Sequence, residues 1–172
     1  RFTMRGFVRI TIVALTTIVL FILVAFRGYP YHGLLLSMLL CALTGMGLEV
    51  FFTASYDALT TKEAREKWEG YSSPLYAPLY ALAPPIYLFT DRVGVDDWPT
   101  LARGIFYMVS LPGLEFLAMM FYDKVIDVRP SKERYLGSGR SIMGYTRIDF
   151  VLVWFIVGLF FERLSPFFLS IR

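Results

Sequence analysis

Glu49 and Glu115 are each the only carboxylate in an otherwise apolar run, at about 34–55 and about 103–122. Each also sits in a matching frame. GLEVFFTASYD (47–57) overlies GLEFLAMMFYD (113–123) at an offset of 66, with Gly47/Gly113, Leu48/Leu114, Glu49/Glu115, Tyr56/Tyr122 and Asp57/Asp123 identical. Five identities in eleven positions compare with about one expected from ordinary residue usage. A charged side chain facing lipid costs about 2.5–3.5 kcal/mol on insertion scales. Both glutamates should therefore face a bundle interior and be hydrogen-bonded. Such a pair can form a polar site for a cation, a proton or a lipid head group. It can also serve as two interhelical hydrogen-bond links in a proline-rich bundle, and that structural role is the preferred reading.

The membrane setting comes from composition. Of 172 residues, 56% are hydrophobic and 18% charged, with 16 Phe, 11 Tyr, 3 Trp and a mean hydropathy of +0.56. Soluble domains run at about 45–50% apolar and about 25% charged. A chain this size could not hide so much apolar surface from water, so an integral membrane protein is expected. A nucleic-acid domain and a disulfide scaffold are excluded: the net charge is only +3, and Cys41 and His32 are the sole cysteine and histidine. No cofactor or metal site is expected; bound lipids are.

Crossing roughly 30 Å of hydrocarbon takes about 20 apolar residues. Five runs qualify: 10–26, about 34–55, 70–90, about 103–122 and about 147–163. The first is flanked by Arg9 and Arg27. It lacks a small-x-small cleavage site, so an uncleaved anchor is expected rather than a signal peptide. Pro84 and Pro85 should interrupt the third run. After Pro166 the tail FFLSIR reads as a short interfacial piece. With the N-terminus on the cytoplasmic (or equivalent) side, twelve Lys/Arg fall there against five opposite, which sets the orientation and puts the C-terminus outside.

The fold expected is all-α: a bundle of about five transmembrane helices. It comprises an N-terminal anchor (1–30) and two tandem helix-pair repeats, 31–92 and 93–172, related by a pseudo-two-fold along the membrane normal. LFTDR (88–92) against LFFER (159–163) extends the repeat. Asp57 and Asp123 then mark cytoplasmic ends, and Glu49 and Glu115 lie eight residues deeper, roughly 12 Å. Counting eight residues inward from Ser72 and from Thr146 reaches Tyr80 and Trp154, donors at the same depth. Gly45, Gly47 and Gly113 should let neighbouring helices come close.

At the outer ends, Asp91-Arg92 and Glu162-Arg163 should anchor the boundary. Each needs a partner from another element, because sequence neighbours on a helix do not face each other. Thr60-Thr61-Lys62-Glu63 has capping-box spacing and opens a short helix that Gly70 can end. Ser73-Pro74 reads as a cap followed by proline at the first helical position. Gly137-Ser138-Gly139-Arg140-Ser141 superficially suggests a phosphate loop but is read as a flexible basic segment. Arg134, Arg140 and Arg147 are the candidates for lipid head groups there.

These residues resemble the small multipass family of ABC-transporter type IV, or CmpB-like, proteins, which includes orphan vertebrate transmembrane proteins. The similarity lies in Gly45-Met46-Gly47-Leu48-Glu49-Val50-Phe51-Phe52-Thr53-Ala54 and in Gly70-Tyr71-Ser72-Ser73-Pro74-Leu75-Tyr76. It continues in Leu114-Glu115-Phe116, Met143-Gly144, Trp154-Phe155, Gly158 and Glu162. It covers about 45–163, leaving the first span as an addition. Where the family often has a Trp-Asp-Tyr-Ser-like stretch, RYLGSGRS (134–141) stands, and Asp91 replaces a usual glutamate. The resemblance implies topology more than activity.

No enzyme is expected. There is no Gly-x-x-x-x-Gly-Lys-Ser/Thr loop and no Ser/His/Asp set. The expected function is a non-catalytic accessory or structural subunit of a larger membrane assembly, packing against lipids and against either other membrane subunits or a second copy, with no nucleic acid. The alternative is a permease-like component that binds a cation or proton at the paired glutamates.

Overall fold

The computed structural model describes residues 32–128, 130, 135 and 139–171. The expected first span and Arg134 lie outside the described residues. What is described is mostly helical. Three helical segments are long and apolar enough to cross a membrane: His32–Thr60, Thr100–Ile126 and Ile148–Leu169.

Helix α1 is His32–Thr60. At 1.5 Å per residue it is about 44 Å long, more than a bilayer core requires. It is followed by α2, Lys62–Lys67, after which Trp68 takes a left-handed φ of 48°. Ser73 then caps a single 3-10 turn, Pro74–Tyr76, its hydroxyl accepting from the Leu75 N–H at 3.3 Å. The Ser-Pro signal is met. A short helix also follows the Thr-x-x-Glu frame, but the Thr60 and Thr61 hydroxyls donate back to the Tyr56 and Asp57 carbonyls instead of capping it, and it ends at Lys67, ahead of Gly70.

The third apolar run is broken, as its prolines require. α3 is Ala77–Ala81 and α4 is Ala83–Arg92, with a turn at Leu82 between them. Neither piece alone reaches the length of a span. Gly94, at φ 77°, turns the chain into a 3-10 segment, Val95–Asp97. α5, Thr100–Phe121, follows and ends in a π-helical turn, Tyr122–Ile126.

Three features depart from expectation. The loop before the last helix holds a small antiparallel ribbon, β1 (Ser141–Ile142) and β2 (Thr146–Arg147), paired Ser141 to Arg147 and Ile142 to Thr146. The described chain is thus not purely α. Secondly, α6 runs from Val151 through Pro166 to Leu169, so FFL belongs to the helix rather than to an interfacial tail. Proline removes one backbone donor near the end, a loss that the rest of an apolar helix absorbs.

The third departure concerns glycines. A Cβ on Gly45 would lie 2.1 Å from the Tyr80 ring, so α1 and α3 touch there as expected. A Cβ on Gly47 or Gly113 would meet nothing within 4 Å, so neither position needs glycine for a close helix approach among the described residues. Close approaches that the sequence did not flag are Gly70 on the Val50 carbonyl of α1, and Gly104 on Phe155 and Gly158 on Tyr107, the last two locking α5 against α6. α6 also packs on α1 and α4, which makes it the central element.

Candidate functional site

Each glutamate is held by the segment that precedes the partner helix of its own pair. Glu49, half-buried on α1, accepts from Ser72 Oγ at 2.6 Å and from Tyr80 OH at 3.3 Å, both through Oε2. Glu115, on α5, is 3% exposed. It accepts from Tyr135 OH at 2.9 Å through Oε1 and from Thr146 Oγ1 through Oε2.

Local backbone geometry puts those hydroxyls in place. Thr53 Oγ1 donates to the Tyr71 carbonyl at 3.0 Å and accepts from the Tyr71 N–H at 2.9 Å. That pair of bonds fastens the strand-like Tyr71–Ser73 segment along α1. At the second site Tyr145 OH donates to Asp123 Oδ2 at 2.7 Å, and the Tyr145 ring packs edge-on against Phe116. Thr146 is thereby presented to Glu115. A signal for both donors was available: Gly70-Tyr71-Ser72 and Gly144-Tyr145-Thr146 are 74 residues apart, as are Tyr80 and Trp154.

The two carboxylates line one cavity of about 420 Å³. Its wall includes Glu49, Glu115, Tyr80 and Trp154, and it extends along α1 to Asp57, where Arg147 and the exposed Tyr71 also line it. Asp57 is eight residues from Glu49, roughly 12 Å along the helix. The cavity therefore runs from mid-bundle to the last turn of α1. Beyond Glu115 lies a second, almost wholly apolar space of about 70 Å³, bounded by Tyr107, Gly158 and Glu162. Tyr76, Tyr80, Trp154 and Phe161 border both spaces, with Tyr80 and Phe161 stacked at 6.0 Å.

Of the four residues expected to meet at this site, Tyr80 contacts Glu49 directly. Trp154 shares the cavity, but its Nε1 is buried with no hydrogen-bond partner among the described residues. Both residues expected at the depth of the glutamates thus line the cavity, and Tyr80 is the one of the two that hydrogen-bonds a glutamate among the described residues. Hydrogen bonds to the carboxylates from Ser72, Thr146 and Tyr135 were not anticipated.

Arg147 is not at a lipid surface. It is 8% exposed, donates to both oxygens of Asp149 and to Tyr56 OH at 3.0 Å, and lies 4.2 Å over the Phe150 ring. The bonds it donates to Asp149 push its pKa above the ordinary arginine value, outweighing burial. Burial at the ribbon, with a carboxylate two residues on, explains why the sequence expectation fails. Arg140, by contrast, is exposed, its side chain by 75%, with Nη1 only 3.9 Å from Asp149 Oδ2.

At the other end, Glu162 finds its partner on α5: Arg103 Nε lies 3.1 Å from Glu162 Oε1, with both side chains buried. Arg103 also donates to the Asp96 carbonyl at 2.6 Å and the Trp98 carbonyl at 3.2 Å, tying the Val95–Asp97 turn to α5. Asp91, Arg92 and Arg163 are exposed and make no ion pair within 4 Å among the described residues. Crossed pairing between Asp91-Arg92 and Glu162-Arg163 is therefore absent there. No protein-family model, curated protein or solved structure matches the chain.

Proposed function

We propose that the chain is a permease-like membrane component that binds a small monovalent cation or a proton between Glu49 and Glu115. One observation carries the reading: both intramembrane carboxylates line a single roomy cavity that reaches along α1 as far as Asp57, one turn from the end of that helix. A purely structural link needs no cavity, because interiors pack to crystal-like density and a void forfeits contacts. Intramembrane ionisable groups that line a cavity are by default the marks of a substrate or ion pathway.

In this reading 31–92 and 93–172 are tandem hairpins with the same topology, and the wide cavity opens toward the cytoplasmic side. Support for the repeat comes from chemistry as well as spelling. In each unit a hydroxyl that follows a Gly-Tyr pair donates to the glutamate of the preceding helix. The narrow aromatic layer around Tyr80, Trp154 and Phe161 then separates the wide space from the outer one. An accessory role within a larger assembly is compatible with the same site only if the cavity is idle.

The test is charge movement. The full chain is reconstituted in liposomes on a solid-supported membrane, and jumps in protons, sodium, potassium and choline are applied in turn. At least one should displace charge in the wild type, and E49Q/E115Q should reduce the signal at least tenfold while eluting as the same monodisperse species. Equal signals from both proteins, or none from the wild type with any cation, refute the proposal.

A further inference from the structure

The same cavity specifies more than a charge. We infer that its occupant is an organic ammonium ion carrying an acceptor oxygen a few bonds from nitrogen, free or as a lipid head group. The inference rests on the proposed binding at Glu49 and Glu115. Three observations support it.

The first is size. A space of about 420 Å³ exceeds the roughly 30 Å³ share of one water more than tenfold, and falls within the range of small-molecule sites, about 300–1,000 Å³. A bare metal cation would require several oxygens converging on one point. Among the described residues no group of three or more His, Cys, Asp or Glu side chains is so arranged.

The second is the wall. Nine of the twenty-one lining residues are aromatic, Tyr56, Tyr76, Tyr80, Tyr135, Trp154 and Phe161 among them. Aromatic faces attract alkylated ammonium ions through the ring quadrupole, and a ring of them with a carboxylate is the usual means of holding such an ion. Two rings of this wall already hold a cation in that way. The Arg147 guanidinium carbon lies 4.2 Å over Phe150 and 5.4 Å over Tyr56. A desolvated inorganic ion gains less from such surroundings, since it forfeits hydration that the rings cannot replace.

The third is the Trp154 indole. Its Nε1 is buried with no partner while the residue lines the cavity. A buried donor left unpaired costs about 1–3 kcal/mol. Nε1 has no surface open to the cavity as it stands, so an ether, ester or hydroxyl oxygen near the ammonium would satisfy it after a small turn of the indole toward the occupant.

The decisive experiment is equilibrium binding to the purified full chain in detergent by titration calorimetry, with choline, ethanolamine, tetramethylammonium, sodium and potassium as probes. Choline should bind at least tenfold more tightly than sodium or potassium, and E49Q/E115Q should weaken it at least tenfold. W154F keeps a ring but removes the donor, so it should weaken choline three- to tenfold and leave tetramethylammonium unchanged. W154L should weaken both. Native mass spectrometry separates the sources: choline or ethanolamine lipids retained by the wild type and lost from E49Q/E115Q identify a head group, whereas free choline binding without retained lipid identifies a soluble ion. Glutamate-dependent binding or flux of sodium, potassium or protons with none of the organic ions overturns this inference and leaves the proposed function standing. Organic-ion binding without charge movement does the opposite. If the double glutamine variant aggregates, the tryptophan pair decides, and equal choline affinity in wild type, W154F and W154L overturns the inference.

Discussion

Gly45 and Gly47 lie two residues apart on α1, yet alanine should have opposite effects at the two positions. A methyl carbon at 45 would lie 2.1 Å from Tyr80 Cγ, 2.4 Å from Cδ1 and 2.7 Å from Tyr80 Cβ. Carbon atoms settle at about 3.5–4.0 Å, so the tyrosine must retreat by roughly 1.4 Å. Because its own Cβ is among the clashing atoms, no ring rotation clears the space, and α3 itself must move. Overpacking of this kind costs about 1–3 kcal/mol, and so severe an overlap belongs at the upper end. Alanine returns up to about 1 kcal/mol through helix propensity. The net loss is about 2 kcal/mol, or about 4–8 °C in apparent Tm at about 2–4 °C per kcal/mol for a chain this size. At 47 nothing lies within 4 Å, so only the propensity gain remains and Tm should rise by about 1–4 °C. Thermal unfolding of the detergent-solubilised proteins, followed by intrinsic fluorescence, reads both. G45A should also weaken choline binding, since the retreating ring carries Tyr80 OH away from a bond to Glu49 that is already 3.3 Å long. Shifts of the same sign in the two variants, or a G45A protein as stable as wild type, would refute the close α1–α3 contact.

Other sites give equally direct expectations. T146V removes a hydroxyl donor from the buried Glu115 and should cost about 1.5–3 kcal/mol, while S72A at the half-buried Glu49 should cost about 1 kcal/mol or less and T146S almost nothing; chemical or thermal denaturation ranks the three. R103M or E162M alone strands a buried charge and should cost about 3–5 kcal/mol, whereas R103M/E162M should recover most of that loss in a double-mutant cycle. R147K keeps the charge but loses the two-pronged contact with Asp149 and the planar stack on Phe150; a loss of about 1 kcal/mol is expected, read as a lower apparent Tm.

Much of this was legible in residue order because membrane insertion leaves few choices. A long apolar run must be a helix in lipid, so α1, α5 and α6 fall where the runs do. Proline chemistry is equally local, and the break at Leu82 follows from Pro84 and Pro85 alone. The paired frames around Glu49 and Glu115 likewise brought attention to the two side chains that share the cavity. Rotation about a helix axis was harder to read. Gly47 and Gly113 repeat with the glutamates yet leave open space where a Cβ would be, while Gly104 and Gly158, outside the repeated frame, make the tight crossings. Spacing along one chain does not say which face meets which neighbour. Partners from distant segments were illegible for the same reason. Arg103 reads in sequence as one more basic residue beside an apolar run, because nothing near it announces Glu162. Arg147 was assigned to a surface because its partnership with Asp149 depends on the ribbon that buries it.

The interruption at Leu82 has a mechanical consequence. Pro84 and Pro85 have no N–H to offer the carbonyls of Tyr80 and Ala81, four residues earlier, so two rungs of the ladder are missing where α3 meets α4. The joint is spanned instead by Leu82 N–H to the Leu79 carbonyl at 3.2 Å and Ile86 N–H to the Leu82 carbonyl at 2.9 Å. Bending there sacrifices no rung that an intact helix would lose. The short rod bearing Tyr80 can tilt against the longer rod ending at Arg92, pivoting at Leu82, about half a turn from the stacked Tyr80–Phe161 rings.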